Sequence, residues 1–313
     1  MIISASRRTD IPAFYSEWFM NRLKEGYALI PNLRNANRLG RVEFSPENVD
    51  CIVFWTKNPT PMFDMLELLK KMGYHFYFQF TLTAYDESIE SNLPSKSELI
   101  KAFIELSERL SAECVVWRYD PIFIDEKHSV EWHIEQFSKM SERLKTYTER
   151  CIISFLDPYK SISGRFSGLT NNEMIAIAAG FSEIARNCGL ALFTCAEVID
   201  LSQYGIAHAS CIDKRLIEQV IGSPIKAKTD ANQRAACCCI ESVDIGVYDT
   251  CPNGCAYCYA TSNRNTVLRR VNAHNPEAPM LTGCPSGNEI ITNRTTASQI
   301  ISQTRMTGKL RID

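Results

Sequence analysis

The sequence predicts an α/β protein built as a full or partial parallel (β/α) barrel. Three observations predict it. Short runs rich in Val, Ile, Phe, Tyr and Trp alternate with longer amphipathic stretches over the first two thirds of the chain, the pattern of repeated strand–helix units. Several of those runs are apolar on both faces, as parallel strands are when helices cover them. Six or seven such units in about 250 residues suit a barrel better than an open doubly wound sheet, which is the alternative.

Strands are expected at residues 1–6 (MIISAS), 51–56 (CIVFWT), 76–83 (FYFQFTLT), 114–119 (CVVWRY), 151–155 (CIISF) and 190–195 (LALFTC), with a weaker run at 242–248 (SVDIGVY). Helical spacing of apolar residues marks 16–25, 61–72, 95–111, 129–147 and 171–187 between them. Thr170, Asn171 and Asn172 offer N-cap oxygens ahead of Glu173, and Gly189 is a stop signal. From 201 to 233 the chain reads as helical but less regular. Beyond Ala260 it is rich in Asn, Thr, Ser, Gly and Pro. The expected division is a barrel over 1–261 and an irregular C-terminal extension over 262–313.

The 313 residues are 45% hydrophobic and 22% charged, enough to bury a large core. A net charge of −2 gives no basic footprint for duplex nucleic acid and no polybasic membrane patch. No apolar run approaches the ~20 residues that span a bilayer, and the opening MIISASRRTDIPAF lacks the regions of a secretory signal. A cytoplasmic protein is expected. In a reducing compartment, 13 Cys against 5 His point to metal or redox chemistry and not to disulfides.

The strongest motif is Cys251-Pro-Asn-Gly-Cys255-Ala-Tyr-Cys258. Three thiols spaced CxxxCxxC follow a candidate strand in a turn-rich loop. Pro252, Asn253 and Gly254 let the backbone wrap so that three sulfurs converge on one centre. A cubane iron–sulfur cluster takes four ligands, so three from the loop would leave one iron open to a non-protein ligand. The alternative is a structural zinc knuckle, which favours paired CxxC ligands four at a time.

With Tyr257 before the last Cys, this motif resembles the signature of the radical S-adenosylmethionine superfamily. The resemblance implies a 4Fe-4S cluster on Cys251, Cys255 and Cys258 whose open iron binds the amino and carboxylate groups of S-adenosylmethionine. It also implies reductive cleavage to methionine and a 5′-deoxyadenosyl radical, and a reductant such as flavodoxin or ferredoxin. The superfamily motif normally follows the first barrel strand, whereas here it begins at residue 251. The order SRRTDIP (6–12), WTKNP (55–59), QFTLT (79–83) and WRYDPI (117–122) is similar to that of the spore photoproduct lyase group with its first strand moved to the end. A permuted barrel is therefore expected. The opening SASRRTDIP together with the CPxxCxYC ending also resembles an uncharacterised bacterial domain-of-unknown-function family over nearly the whole chain. The superfamily's Gly-Gly-Glu run has no counterpart, because the sequence contains no Gly-Gly pair.

A second set of cysteines lies outside the motif. Cys195 ends a candidate strand, Cys211 follows, and Cys237-Cys238-Cys239 precede the last strand. Cys195, Cys211, Cys237 and Cys239 could hold an auxiliary iron–sulfur cluster, with Cys238 as the alternative to either triplet neighbour. A zinc at the same thiols and plain apolar burial are the competing readings. Cys51, Cys114, Cys151 and Cys188 are expected in the core.

Barrel enzymes place working groups at the C-terminal ends of strands. Arg7, Arg8, Asp10, Lys57 and Arg118 are the candidate catalytic residues by that rule, and Thr56, Glu197 and Tyr257 the candidate cofactor contacts. Ion pairing around the mouth, such as Arg118 with Asp10 or Asp120, is the competing reading. The substrate is left open. So are a zinc-stabilised binding protein and an iron–sulfur electron-transfer protein. The charge gives no support to nucleic acid as a partner, although the lyase resemblance allows it.

Overall fold

The computed structural model describes residues 1–301 except 158, 160, 161, 163, 235, 295 and 296. β1 (Ile2–Ala5) leads through α1 (Ile11–Phe14) and α2 (Ser16–Glu25) to a hairpin of β2 (Tyr27–Asn32) and β3 (Asn35–Glu43). Strand–helix units follow: β4 (Cys51–Thr56) with α3 (Leu66–Lys71), β5 (Phe76–Thr81) with α4 (Lys96–Leu110), β6 (Val115–Ile122) with α5 (Val130–Leu144), and β7 (Arg150–Phe155) with α6 (Asn171–Asn187). β8 (Ala191–Cys195), β9 (Ala207–Ala209), α7 (Lys214–Ile221), β10 (Val243–Asp244), α8 (Arg264–Asn272) and β11 (Ile290–Arg294) complete the chain.

Eight strands form one sheet in the order β10-β1-β4-β5-β6-β7-β8-β9, and every neighbouring pair is parallel. β9 and β10 stand at opposite ends of that order, so the barrel is partial. The last strand of the sheet in sequence lies beside the first: Ile3 pairs with Val243 and Ser4 with Asp244. Capping boxes start α4 (Ser95 with Glu98) and α6 (Thr170 with Glu173), each satisfying two backbone donors that a helix start leaves free.

The two faces of the sheet are filled differently. Ile3, Ile52, Phe54, Phe78, Trp117 and Ile153 pack under the helices, against residues such as Trp18, Phe103, Phe137 and Phe181. The alternate residues Ile2, Val53, Tyr77, Val116 and Ile152 face inward, where Ile212, Leu216, Ile217 and Ile240 cover them. Tyr77 and Gln79 both donate to the Cys211 carbonyl, at 3.0 and 2.7 Å, and fix this inner segment to the sheet.

The stretch expected as a single helix over 61–72 is a 3-10 turn, Thr60–Met65, running into α3, with Pro61 at its start. The expected strand at 242–248 keeps only Val243–Asp244, because Gly246 N turns back onto Asp244 Oδ1 at 3.0 Å. The C-terminal part is less irregular than expected. It contains α8, and β11 pairs in parallel with β3 in a second sheet, β11-β3-β2. It also folds back on the barrel. Trp18 Nε1 donates to Ala278 O at 3.0 Å, and Ser298 Oγ donates to Asp50 Oδ1 at 2.5 Å. The remainder of the expected extension, 302–313, lies outside the described residues.

Asp244 holds the β10–β1 seam. Its carboxylate accepts from Ser4 Oγ (3.0 Å), Ser6 Oγ (2.6 Å), Arg7 N (3.0 Å) and Gly246 N. Truncating it leaves four donors short of their acceptor. Asp244→Ala is expected to cost about 3 kcal/mol, read from the urea midpoint, against less than about 0.5 kcal/mol for the exposed Glu135→Ala. Equal midpoints for the two variants would show that the seam does not depend on this carboxylate.

Candidate functional site

Where the inward-facing residues approach the C-terminal ends of the strands they change from apolar to polar: Ser6 after β1, Trp55 on β4, Thr81 on β5, Arg118 and Asp120 on β6, Ser154 on β7 and Cys195 on β8. All of them line a cavity of about 1340 Å³. The same cavity is lined by Cys251, Cys255 and Cys258 and by Cys195, Cys211, Cys237 and Cys239. Arg7, Arg8, Asp10, Thr56, Lys57 and Tyr257 also line it, whereas Glu197 does not. The mouth of the partial barrel thus gathers both sets of cysteines expected to bind metal, from segments far apart in sequence.

The 251–258 loop is positioned by a neighbouring loop after β5. Ala256 N donates to Ile89 O at 2.8 Å, Asn92 N to Asn253 O at 3.1 Å and Asn92 Nδ2 to Pro252 O at 2.7 Å. Gly254 has φ +71°, and a Cβ there would stand 2.4 Å from Ser91 Oγ and 3.0 Å from Asn92 Nδ2. Below the loop, Glu90 accepts from Lys57 Nζ at 2.8 Å and from Thr83 Oγ1 at 3.0 Å, and also from Lys96 and the Tyr257 hydroxyl. Burial alone would raise the Glu90 carboxyl, but the ammonium groups of Lys57 and Lys96 outweigh it and hold it down at about 2. The Tyr257 ring packs among Tyr85 and Phe123, with Lys57 Nζ 5.4 Å from its centre. Asp10 accepts from Lys57 N (2.8 Å), Asn253 Nδ2 (3.1 Å) and Ala13 N (3.1 Å), tying β1, β4 and the cysteine loop together. Burial pushes the Cys255 thiol up to about 12 and the Cys251 thiol well above its usual range.

Cys195, Cys211, Cys239 and Cys237 form a second group. A thiol hydrogen bond with Cys211, together with burial, pushes the Cys195 thiol up, and a thiol hydrogen bond with Cys239 pulls the Cys237 thiol down. Cys239 is itself acted on by Cys211 and Cys237, so the four thiols are neighbours in series. Two donors already point at this sulfur set: Arg118 Nη1 to Cys211 Sγ at 3.1 Å and Ile212 N to Cys239 Sγ at 3.4 Å. Cys238 is exposed and does not line the cavity, so the triplet presents its outer two members. Cys51 and Cys151 are buried in the core as expected, and Cys114 and Cys188 partly so.

Several candidates are held in structural contacts. Arg118 pairs with Asp120, the second of the two partners considered from the sequence. Arg8 donates to Gly246 O at 3.3 Å and lies 3.7 Å from Asp244. Thr56 Oγ1 accepts from Asn58 N at 2.9 Å. Glu197 follows Ala196, whose φ of +56° turns the chain, and its Oε1 accepts from Ser154 Oγ and Phe155 N, both at 2.9 Å. Lys57 and Asp10 are engaged as described above. Arg7 Nη2 and Trp55 Nε1, by contrast, are buried without a hydrogen-bond partner. Sequence reasoning missed Glu90, Trp55 and Asp244. Only Trp55 carried a signal, as an aromatic residue near a strand end.

Among the described residues no group of three or more His, Cys, Asp or Glu side chains is arranged to hold a metal ion. Around one zinc, with Zn–S of about 2.3 Å, tetrahedral sulfurs stand within about 3.8 Å of one another. A cubane gives each thiolate its own iron, so its ligands spread more widely around one centre. The donor chemistry suits such a cluster: soft thiols on the wall of one cavity, with buried cationic and indole N–H groups beside the second set that lack partners.

The tight passage at Gly254 gives a direct test of the loop. Gly254→Ala would need a left-handed backbone at a residue with a Cβ and would push against Ser91, at a cost of about 1–3 kcal/mol. A lowered melting temperature is expected. A variant with unchanged melting temperature would show that the loop is not held this tightly.

No curated protein matches the chain. Among solved structures, a candidate alpha-L-fucosidase from Bacteroides thetaiotaomicron is similar at 15% identity and a TM-score of 0.27, over 49% of this chain and 64% of that one. The chain thus spans less than two thirds of that structure's length, and the likeness is too slight to carry an argument. A family model described as a domain of unknown function (DUF1848) matches residues 2–260. The partial barrel and both cysteine sets fall within those residues, and the chain belongs to the DUF1848 family.

Proposed function

We propose that this chain is a radical S-adenosylmethionine enzyme. Cys251, Cys255 and Cys258 would hold a 4Fe-4S cluster with one iron open to S-adenosylmethionine, and Cys195, Cys211, Cys237 and Cys239 a second iron–sulfur cluster. The observation that carries the reading is the parallel pairing of Val243–Asp244 with β1. It delivers the CxxxCxxC loop to the strand-end mouth beside the first strand, where a permuted superfamily barrel would carry it. When bound, the first cluster would supply one electron to cleave the sulfonium and yield a 5′-deoxyadenosyl radical that abstracts hydrogen from a substrate.

The chain's own residues support that chemistry by placement. Asp10, Glu90 and Asn92 hold the loop against the barrel mouth. Lys57 places positive charge beside Cys255. At about 1340 Å³ the cavity is larger than the ~300–1,000 Å³ typical of one small ligand. The Tyr159 and Tyr259 rings, 5.7 Å apart, stand at its rim with Tyr248. No helix among the described residues is long and apolar enough to cross a membrane. A reducing cytoplasm and a small reductant such as flavodoxin or ferredoxin belong to the same reading.

Anaerobic purification tests it. The expected content is about eight irons per chain, with matching sulfide. Reduction with S-adenosylmethionine present is expected to release 5′-deoxyadenosine. Cys255→Ala is expected to abolish that product and keep about four irons, whereas Cys211→Ala loses the other four. Zinc without sulfide would support a zinc-stabilised binding protein instead, and iron without 5′-deoxyadenosine an electron-transfer protein. Either result overturns the proposal.

A further inference from the structure

The two sets of thiols have different electrostatic surroundings. Beside the 251–258 loop the charges cancel. Lys57 is paired with Glu90, and Asp10 adds negative charge near Cys251. Beside the other four thiols stand two guanidinium groups. Arg7 and Arg118 both lie over Trp55, with their guanidinium carbons 5.3 and 5.2 Å from the ring centre. Arg118 is occupied by Asp120 and by Cys211 Sγ. Arg7 Nη2 and Trp55 Nε1 are buried with no partner.

An unpaired buried cation is costly, and it persists where an anion compensates it. Asp244, the carboxylate across the β10–β1 seam, is already engaged by Ser4, Ser6, Gly246 and the Arg7 backbone N–H. The Arg7 side chain lines the same cavity as the thiols of Cys195, Cys211, Cys237 and Cys239. An iron–sulfur cluster carried by four thiolates is anionic and becomes more so on reduction. Positive charge and N–H donors beside its sulfurs therefore favour the reduced state.

We propose that Arg7 is the charge partner of the cluster held by Cys195, Cys211, Cys237 and Cys239, and that Arg7 and Arg118 over Trp55 keep that cluster at a higher reduction potential than the one at the 251–258 loop. The proposal deepens the reading above and rests on its second cluster. Arg7 acts here as a positioning and tuning residue whose unpartnered Nη2 would be a donor to the anionic group those thiols hold.

An anaerobic redox titration followed by electron paramagnetic resonance tests it in the iron-loaded protein, in Arg7→Gln and in Arg7→Lys. Two waves are expected in the unaltered protein. The higher one belongs to a signal that S-adenosylmethionine does not perturb, the lower one to a signal that it does. Arg7→Gln is expected to lower the first wave by at least a tenfold change in equilibrium constant, about 59 mV for one electron, and to leave the second in place. Arg7→Lys restores most of the shift. Loss of the second cluster's iron in Arg7→Gln but not in Arg7→Lys carries the same meaning, since charge is then what holds it. Unmoved waves at about eight irons per chain overturn this proposal and leave the enzyme reading intact. About four irons in the unaltered protein overturn the second cluster and this proposal together.

Discussion

The parallel pairing of Val243–Asp244 with β1 is the contact on which the functional geometry depends. It is short, and a two-residue strand contributes little by its own ladder. Its strength comes from one carboxylate, Asp244, that gathers donors from Ser4, Ser6, Arg7 and Gly246 at the point where the strands end. From there the chain needs only the turn at 247–250 to bring Cys251 over the mouth. Tyr15 donates to Thr250 O at 2.5 Å and Tyr259 to Arg7 O at 2.7 Å, so both sides of the cysteine loop are tied to the start of the chain.

Charge is distributed around the mouth with a consistent logic. Under the loop, Glu90 is almost fully buried and is matched by two ammonium groups, a hydroxyl from Thr83 and one from Tyr257. A buried carboxylate with that many partners serves as a fixed anchor. Across the cavity the balance reverses, because Arg7 has no protein partner for its buried Nη2 while four thiols stand nearby. Two thiol sites in one cavity with different local charge would give two metal centres with different affinities for electrons.

Much of the barrel was legible because its strands and helices keep strong local patterns. The runs at 51–56 and 16–25 coincide with β4 and α2. The Thr170 cap was readable because its capping-box partner, Glu173, lies three residues on. The hairpin of β2 and β3 was missed because NLRNANRLGR is polar and lacks alternation, and its sheet is completed only by β11 from the far end of the chain. The 251–258 cysteines were legible by spacing and Cys195 by the strand-end rule, whereas Cys211, Cys237 and Cys239 are irregularly spaced. The network around Glu90 was not legible, because its partners Lys57, Lys96 and Tyr257 come from separate segments and a lone acid in a loop carries no local signal. Arg7 stood among several strand-end cations in the sequence. Which of them lacked a partner became visible only once the others were seen paired.

In the proposed centre the loop at 251–258 would hold a cubane by three thiolates and leave its fourth iron open. Mössbauer spectra of the protein loaded with iron-57, recorded before and after S-adenosylmethionine is added without reductant, test this most directly. The account predicts that a single iron site changes its spectrum, as its ligand shell gains the amino and carboxylate groups, while the other sites stay as they were. A spectrum identical before and after addition would contradict it.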